Sequence, residues 1–507
     1  MKKTTKVLAL SMASIILLAS CASTPSGETQ EKVPKTEKTA KAEKKSTKGK
    51  KGKFDQEAYN DAFASGDYSS CIDMLNAKDS KNFAIKTELD VDMLKFYTAD
   101  YIGSGKSFFE TQGEMQQLSA DMSASKVMQA ALVGEDTVEY TGTVYERLLA
   151  YSMRTVSAIE AGKMDDAQGV IYTYTGDYKD IIAPLVAQQK EIAAASEGVL
   201  NDPKVATSME ALSKVGLNLN LNSFTKGIPQ KSNATYDTSA FLSYLGTVVF
   251  AANNDSDHAK DFASVLKTTA PNVDVSDDLK VPAGKGRLDI IALSGNIGKR
   301  DDSNLQPIEV FQIPSSNGYF EPLPVFFKFS YPVFDANSQN HKIDSVRVTL
   351  SSGESKNAVI VENFDNAVAI DVASKARGAF NRSIFRNITK AAVVIPTNMT
   401  ALATAEATVD SVGDNPLTKK AAMVGLDKAL DALKVGLLEF TDLEKADVRQ
   451  GEYFPHIAST AGFTVDAGTY NVTVEYLNGS SVVETKVIEN VVVEEGKVVI
   501  RVSSCSK

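Results

Sequence analysis

The chain contains no Trp and only three His and three Cys in 507 residues. So few thiols cannot build a disulfide framework, and neither paired Cys nor a His-Glu-x-x-His spacing occurs, which removes the usual zinc sites. Basic charge is missing from most of the chain. Residues 1–53 hold 13 Lys and 4 Glu, so the formal total of −10 less this +9 leaves −19 for residues 54–507. A body this acidic repels phosphate backbones, and no nucleic-acid partner is expected.

What is present is ordinary for a globular protein, with 43% apolar and 23% charged residues, which excludes wholesale disorder. At roughly 100–200 residues per domain the length predicts two to four domains. Their cores would be large enough to fold without staples.

The first twenty residues read as an export signal. Lys2, Lys3 and Lys6 form a positive start, and Val7 to Ala19 form an apolar stretch too short to cross a ~30 Å hydrocarbon core comfortably. The stretch ends in Leu18-Ala19-Ser20-Cys21, which resembles the bacterial lipobox. That resemblance implies removal of residues 1–20, acylation of the Cys21 thiol and a membrane anchor of two or three acyl chains; the alternative is an ordinary signal with an incidental Cys. Ala22 after the Cys implies, by the enteric sorting pattern, the outer membrane. Residues 21–53 lack apolar periodicity and read as a Lys-rich disordered tether reaching about 30–35 Å. Its lysines either attract anionic headgroups or envelope polymers, or merely keep a spacer extended.

The predicted fold class is α+β, in three parts. Residues 54–275 have helical periodicity, 280–440 form a mixed β/α region and 441–507 a β-sandwich-like module. In the helical part Gly66-Asp67-Tyr68 with Cys71, Gly162-Lys163-Met164 with Ala167, and Gly176-Asp177-Tyr178 with Ile181 repeat a turn-plus-small-residue spacing. Tyr244 to Asn272 matches best, with Leu245-Gly246, Ala259 and Ala270-Pro271-Asn272 in place. These units resemble a divergent tetratricopeptide-like solenoid, which implies either a concave groove that docks other envelope proteins or a helical spacer.

Strands are predicted at 287–293, 308–312, 325–333, 345–350, 358–362, 469–476, 482–493 and 497–502, and helices at 366–392 and 417–438. Asn478-Gly479 predicts a type I′ hairpin turn.

Four sets of residues invite a chemical reading. Ile102-Gly103-Ser104-Gly105-Lys106-Ser107 ends like a phosphate loop, but Asp100 stands where the motif needs Gly, and a turn between helices is expected. Asp447, Arg449, Pro455 and His456 lie close in sequence with no identifiable Ser nucleophile, and His258 and His341 sit in polar turns. Cys71 and Cys505 are candidates to pair or to stay free. On the helix near residue 382, Lys375, Arg382, Arg386 and Lys390 share one face opposite Phe380, Ile384, Ile388 and Ala391. That basic stripe suits a carboxylate-rich partner or anionic glycan, or is a solvated face paired with local Asp and Glu. Carboxylates are so frequent that their proximity in sequence says nothing about glycosidase chemistry. No catalytic residue, cofactor or metal is assigned.

Tyr145-Glu146-Arg147, Gly286-Arg287-Leu288-Asp289-Ile290-Ile291 followed by Pro307, Ala446-Asp447-Val448-Arg449 with Pro455, and Ala467-Gly468-Thr469-Tyr470 together resemble a family of uncharacterised bacterial envelope lipoproteins. Those proteins pair a tetratricopeptide-like first half with a β-rich second half; the chain departs from them in its sparse basic residues and Trp and in an insert from about 196 to 237. The resemblance implies a non-enzymatic scaffold or docking partner for other envelope proteins. Regulation of cell-wall synthesis, as by activator lipoproteins, and hydrolysis of cell-wall or surface glycans are the alternatives.

Overall fold

A computed structural model describes residues 54–507 except 79–83, 121, 225–226, 315–319, 336–337, 339–341, 413–415 and 443. The export signal, Cys21, the tether and His341 lie outside the described residues. The fold is α+β, helical first and strand-rich later.

The helical part begins with α1 (Gln56–Ser65), α2 (Tyr68–Ala77), α3 (Ala84–Tyr97), α4 (Tyr101–Ala120) and α5 (Ala124–Ala131). It continues through α6 (Val144–Glu160), α7 (Met164–Asp177), α8 (Ala183–Gly198), α9 (Pro203–Lys214) and the short α10 (Leu221–Phe224). It closes with α11 (Ala240–Ala252), α12 (Ser256–Thr269) and the short α13 (Ser276–Leu279). Short polar residues start many of these helices. Asp55, Asp67, Ser123, Thr143, Asp202, Ser239 and Asp255 each accept a hydrogen bond from a first-turn N–H, which supplies a donor that the helix leaves unpaired.

Two of the three expected Gly turns form: Gly66 (φ 78°) ends α1 and Gly162 (φ 70°) follows α6. The third does not. Gly176 lies inside α7, which runs through a π-helical turn at Tyr178–Ile182 into α8, because no residue there takes a left-handed backbone. Likewise Gly103 to Ser107 form the first turns of α4 rather than a turn between helices. The Asp100 carboxylate accepts from the Gly103 N–H at 2.9 Å, occupying an amide that a phosphate would need.

The strands are β1 (Lys285–Ser294), β2 (Lys299–Leu305), β3 (Ile308–Pro314), β4 (Phe320–Phe326), β5 (Phe329–Asp335), β6 (Ser345–Leu350), β7 (Ser355–Asn357) and β8 (Val359–Asn363). Helices α14 (Phe364–Ser411) and α15 (Pro416–Asp442) intervene before β9 (Ile457–Asp466), β10 (Gly468–Asn478), β11 (Ser481–Val493) and β12 (Val498–Cys505). One sheet has the order β12-β1-β9-β8 and a second β11-β10-β6-β7; β2–β5 and β3–β4 form two-stranded ribbons. Both four-stranded sheets mix strands from 280–440 with strands from 441–507, so these two segments fold together.

The β10–β11 hairpin forms as expected, but its central residues are Gly479 and Ser480, with Asn478 paired to Ser481. Only Gly479 (φ 58°) has a positive φ, which fits a type II′ turn with Gly first rather than type I′.

Strand β1 explains the layering. It pairs parallel with β12 and antiparallel with β9, and is buried on both faces. Leu288, Ile290 and Ala292 join Val346, Val348, Val472, Val474 and Tyr476 in the core between the two sheets. Ile291 and Leu293, on the other face, join Leu148, Val156, Leu245 and Val248 of the helices. A strand facing two cores reads as a continuous apolar run, as Leu288-Asp289-Ile290-Ile291-Ala292-Leu293 does. Gly286 lets β1 approach the chain after β11: a Cβ there would stand 2.4 Å from the Glu494 carbonyl oxygen.

Candidate functional site

A cavity of about 490 Å³ opens where the two kinds of structure meet. Its walls are the loop entering α6 (Glu135 to Tyr145), α8, residues 231–236, Arg300 of β2, residues 370–382 of α14 and Asp447. The boundary is thus shared, not confined to the helical half.

Local folding fixes each wall. Thr143 caps α6 in a reciprocal box with Glu146. Glu146 Oε2 accepts from the Thr143 N–H (2.7 Å), the Thr143 hydroxyl (2.9 Å) and the Tyr140 hydroxyl (2.5 Å), while Oε1 accepts from the Gly451 N–H (2.7 Å). Next to it, Arg147 donates to the carbonyls of Met115 (2.9 Å) and Thr141 (2.6 Å). Arg449 makes a two-pronged pair with Asp447 (2.8 Å each) and lies 5.1 Å from the Tyr140 ring centroid. Arg300 donates to Asp371 and stands 5.5 Å from the Tyr145 ring centroid. Two motifs about 300 residues apart, Tyr145-Glu146-Arg147 and Asp447-Val448-Arg449, therefore converge at one end of the cavity.

The predicted basic stripe is only partly exposed. Lys375 is half-buried, donates to Asp371 at 2.8 Å and lines the cavity. Arg382 lines it too, but is buried and donates through Nε and Nη2 to Glu135 at 2.9 Å each. Arg386 lies deeper, without solvent exposure of its side chain, between Glu135 (3.0 Å) and Glu444. Lys390 is half-buried outside the cavity wall. Burial would raise the Glu135 carboxyl, but Arg382 and Arg386 hold it below the usual range. Asp447, also subject to burial, is held low by Arg449.

Sequence reasoning assigned no role to Glu135, Arg300, Asp371 or Glu444. Arg300 sits in Lys299-Arg300-Asp301-Asp302-Ser303-Asn304, which has no apolar alternation to announce a strand, and the only available signal was the pair of motifs that now flank it.

The remaining candidates are placed elsewhere. His456 Nδ1 is 2.9 Å from Asp365, whose other oxygen accepts from the Gly298 N–H at 2.7 Å. His258 lies in the first turn of α12, with its ring Nδ1 2.8 Å from the Asp255 cap carboxylate and its ring stacked on Phe250. Cys71 and Cys505 are free, buried thiols. The segment Gly286 to Ile291 carries a second network, in which Arg287 binds Asp278 (3.2 Å) and Asp289 (3.0 Å). Among the described residues, no group of three or more His, Cys, Asp or Glu is placed to hold a metal ion, and no helix is long and apolar enough to cross a membrane. Comparison with protein-family models, with curated proteins and with solved structures gives no match to this chain.

Proposed function

We propose that this chain is a bacterial envelope lipoprotein that works by holding another envelope molecule rather than by reacting with it. In this reading residues 1–20 are removed, Cys21 is acylated, and residues 21–53 tether the body to the outer membrane. The resemblance to envelope lipoproteins points the same way. The paired helices, best seen in α11 and α12, are read as tetratricopeptide-like, and the two packed sheets as sandwich-like.

The observation that supports holding over chemistry is the state of the cavity's charges. They are spent on one another: Glu135 on Arg382 and Arg386, Asp447 on Arg449, Asp371 on Arg300 and Lys375. A glycan hydrolase needs one carboxyl held protonated near neutrality as general acid. Glu135 and Asp447 are shifted the opposite way. Fixed ion pairs keep a shape, which a docking site needs.

Two experiments test the parts separately. A Cys21→Ser variant should leave the membrane fraction, and retention there would contradict acylation. A photoreactive residue at the cavity rim, at exposed Asn233, should give discrete adducts in the native envelope, whereas one at exposed Asn478 on the β10–β11 turn should not. Equal labelling from both, or none from Asn233, would remove the cavity as the docking site.

A further inference from the structure

We infer that the cavity receives a carboxylate carried on an apolar body. This rests on reading the cavity as a binding site, and three observations lead to the ligand class.

The first is charge. The lining side chains include six Lys or Arg against five Asp or Glu, and behind them the positive Arg386 and Arg449 stand beside the negative Glu444 and Glu146. That local surplus is cationic within a body of −19. Clefts with such a field concentrate anions against the repulsion of the rest of the surface.

The second is hydrogen-bonding capacity left over. Arg300 is buried and uses Nη2 on Asp371, but its Nε–H has no acceptor. The Tyr145 hydroxyl is buried near the Thr143 side chain without a hydrogen bond of good geometry. Arg300 and Tyr145 both belong to the cavity lining, with the guanidinium over the Tyr145 ring, and the two unmet atoms lie just beneath that lining. A buried polar group without a partner is costly, so a ligand oxygen that accepts from either group is favoured. The unmet groups can both donate, which selects an acceptor-rich anion over a cation. A guanidinium presenting a spare N–H edge suits a planar carboxylate.

The third is the rest of the lining, where Met122, Val127, Leu185 and Ile192 offer apolar surface. At about 490 Å³ the space is within the range of small-molecule sites and too large for a lone ion. Free fatty acids and the apolar ends of peptides both present this chemistry.

The test uses the full chain in nanodiscs, with protein-free nanodiscs as the calorimetric blank. Octanoate is compared with octanol, and a tri-leucine peptide with its C-terminal amide. At least tenfold tighter binding of octanoate than octanol assigns a free acid; the same preference for the free peptide over its amide assigns a chain end. Either result supports the inference, and no preference in either pair overturns it. Arg300→Met should abolish the preference and Arg300→Lys should restore part of it; a preference that survives Arg300→Met overturns the inference. Should Arg300→Met fail to fold, Ala193→Phe fills the cavity from α8 and leaves the ion pairs intact. Carboxylate binding unchanged in Ala193→Phe also overturns the inference. Rim adducts without carboxylate preference would sink this inference alone, and carboxylate preference without rim adducts would sink only the docking reading.

Discussion

Arg386 has no solvent contact, and its charge is balanced by Glu135 and Glu444, which come from sites 251 and 58 residues away in sequence. Such a pair contributes little net stability against an apolar replacement, but removing one member leaves a buried charge without a counterion. Arg386→Ala is therefore expected to destabilise the protein by about 3–5 kcal/mol in urea unfolding followed by circular dichroism. A loss under about 1 kcal/mol would show that water reaches the two carboxylates. Arg386→Lys should recover only part of the loss, because one ammonium cannot reproduce the forked donation to both.

A second residue-scale effect depends on pH. Burial raises Asp92 to about 7, although the Thr111 hydroxyl donates to it at 2.7 Å; burial and then Glu114 raise Glu88 to about 7. Unfolded carboxyls titrate near 4, so between about pH 4 and 7 the folded chain holds more protons than the unfolded one. The stability these groups contribute is fully present below the unfolded value and is lost as pH rises through about 7. Glu452, held near 2 despite burial by Lys86 and Lys299, contributes in the other direction but only loses its effect below about pH 4.5. The melting temperature should thus be higher at pH 5 than at pH 8. Asp92→Asn should narrow that gap by raising the value at pH 8, and an unchanged gap would remove Asp92 as a source.

At the scale of elements, α14 shows what sequence pattern conveys and what it misses. The pattern predicts a helix over 366–392, yet α14 runs on through Pro396 to Ser411. Proline removes one backbone hydrogen bond but does not end a helix whose far side is packed, and Ile395 and Leu402 are both buried. Pro396→Ala should restore that bond and raise stability by about 1–3 kcal/mol in the same urea assay. A fall would mean that the local backbone geometry Pro396 imposes is needed for packing. The periodicity of α14 correctly opposed its basic face to Phe380, Ile384 and Ile388, but a helical wheel cannot tell solvent from a second packed surface. Glu135 and Ser196, which receive Arg382, are distant in sequence. The same limit hid further strands, β2 and β9 among them. β2 is polar and β9 reads Ile-Ala-Ser-Thr-Ala-Gly-Phe-Thr-Val, whose small residues are buried without alternation. Strands with strong alternation or continuous apolar runs, such as β1, β6 and β12, are legible because burial pattern and sequence pattern coincide there.

For the folded body as a whole, the decisive feature is that the helices do not own their core. Ile291 and Leu293 of β1 and Val498, Ile500 and Val502 of β12 belong to the same cluster as Leu148, Tyr244 and Phe250. Polar contacts cross the same boundary. The Val502 N–H donates to Glu160 (2.8 Å), the Glu452 N–H to Asp90 (2.6 Å), and the Tyr97 hydroxyl to the Tyr453 carbonyl (2.9 Å). Without the sheet, the apolar side of α11 would face water, and the Asp90 and Glu160 carboxylates would lose their backbone donors. Residues 54–507 should therefore unfold in one transition, seen together by calorimetry and far-UV circular dichroism; with no Trp in the chain, Tyr signals supply the tertiary probe. A fragment of residues 54–280 should lack fixed tertiary structure, with its Tyr signals flat through heating. Two separated transitions in the longer chain, or a cooperative melt of the fragment, would show that the helical part folds alone. The cavity would then lie between two independently stable bodies rather than within one cooperative unit.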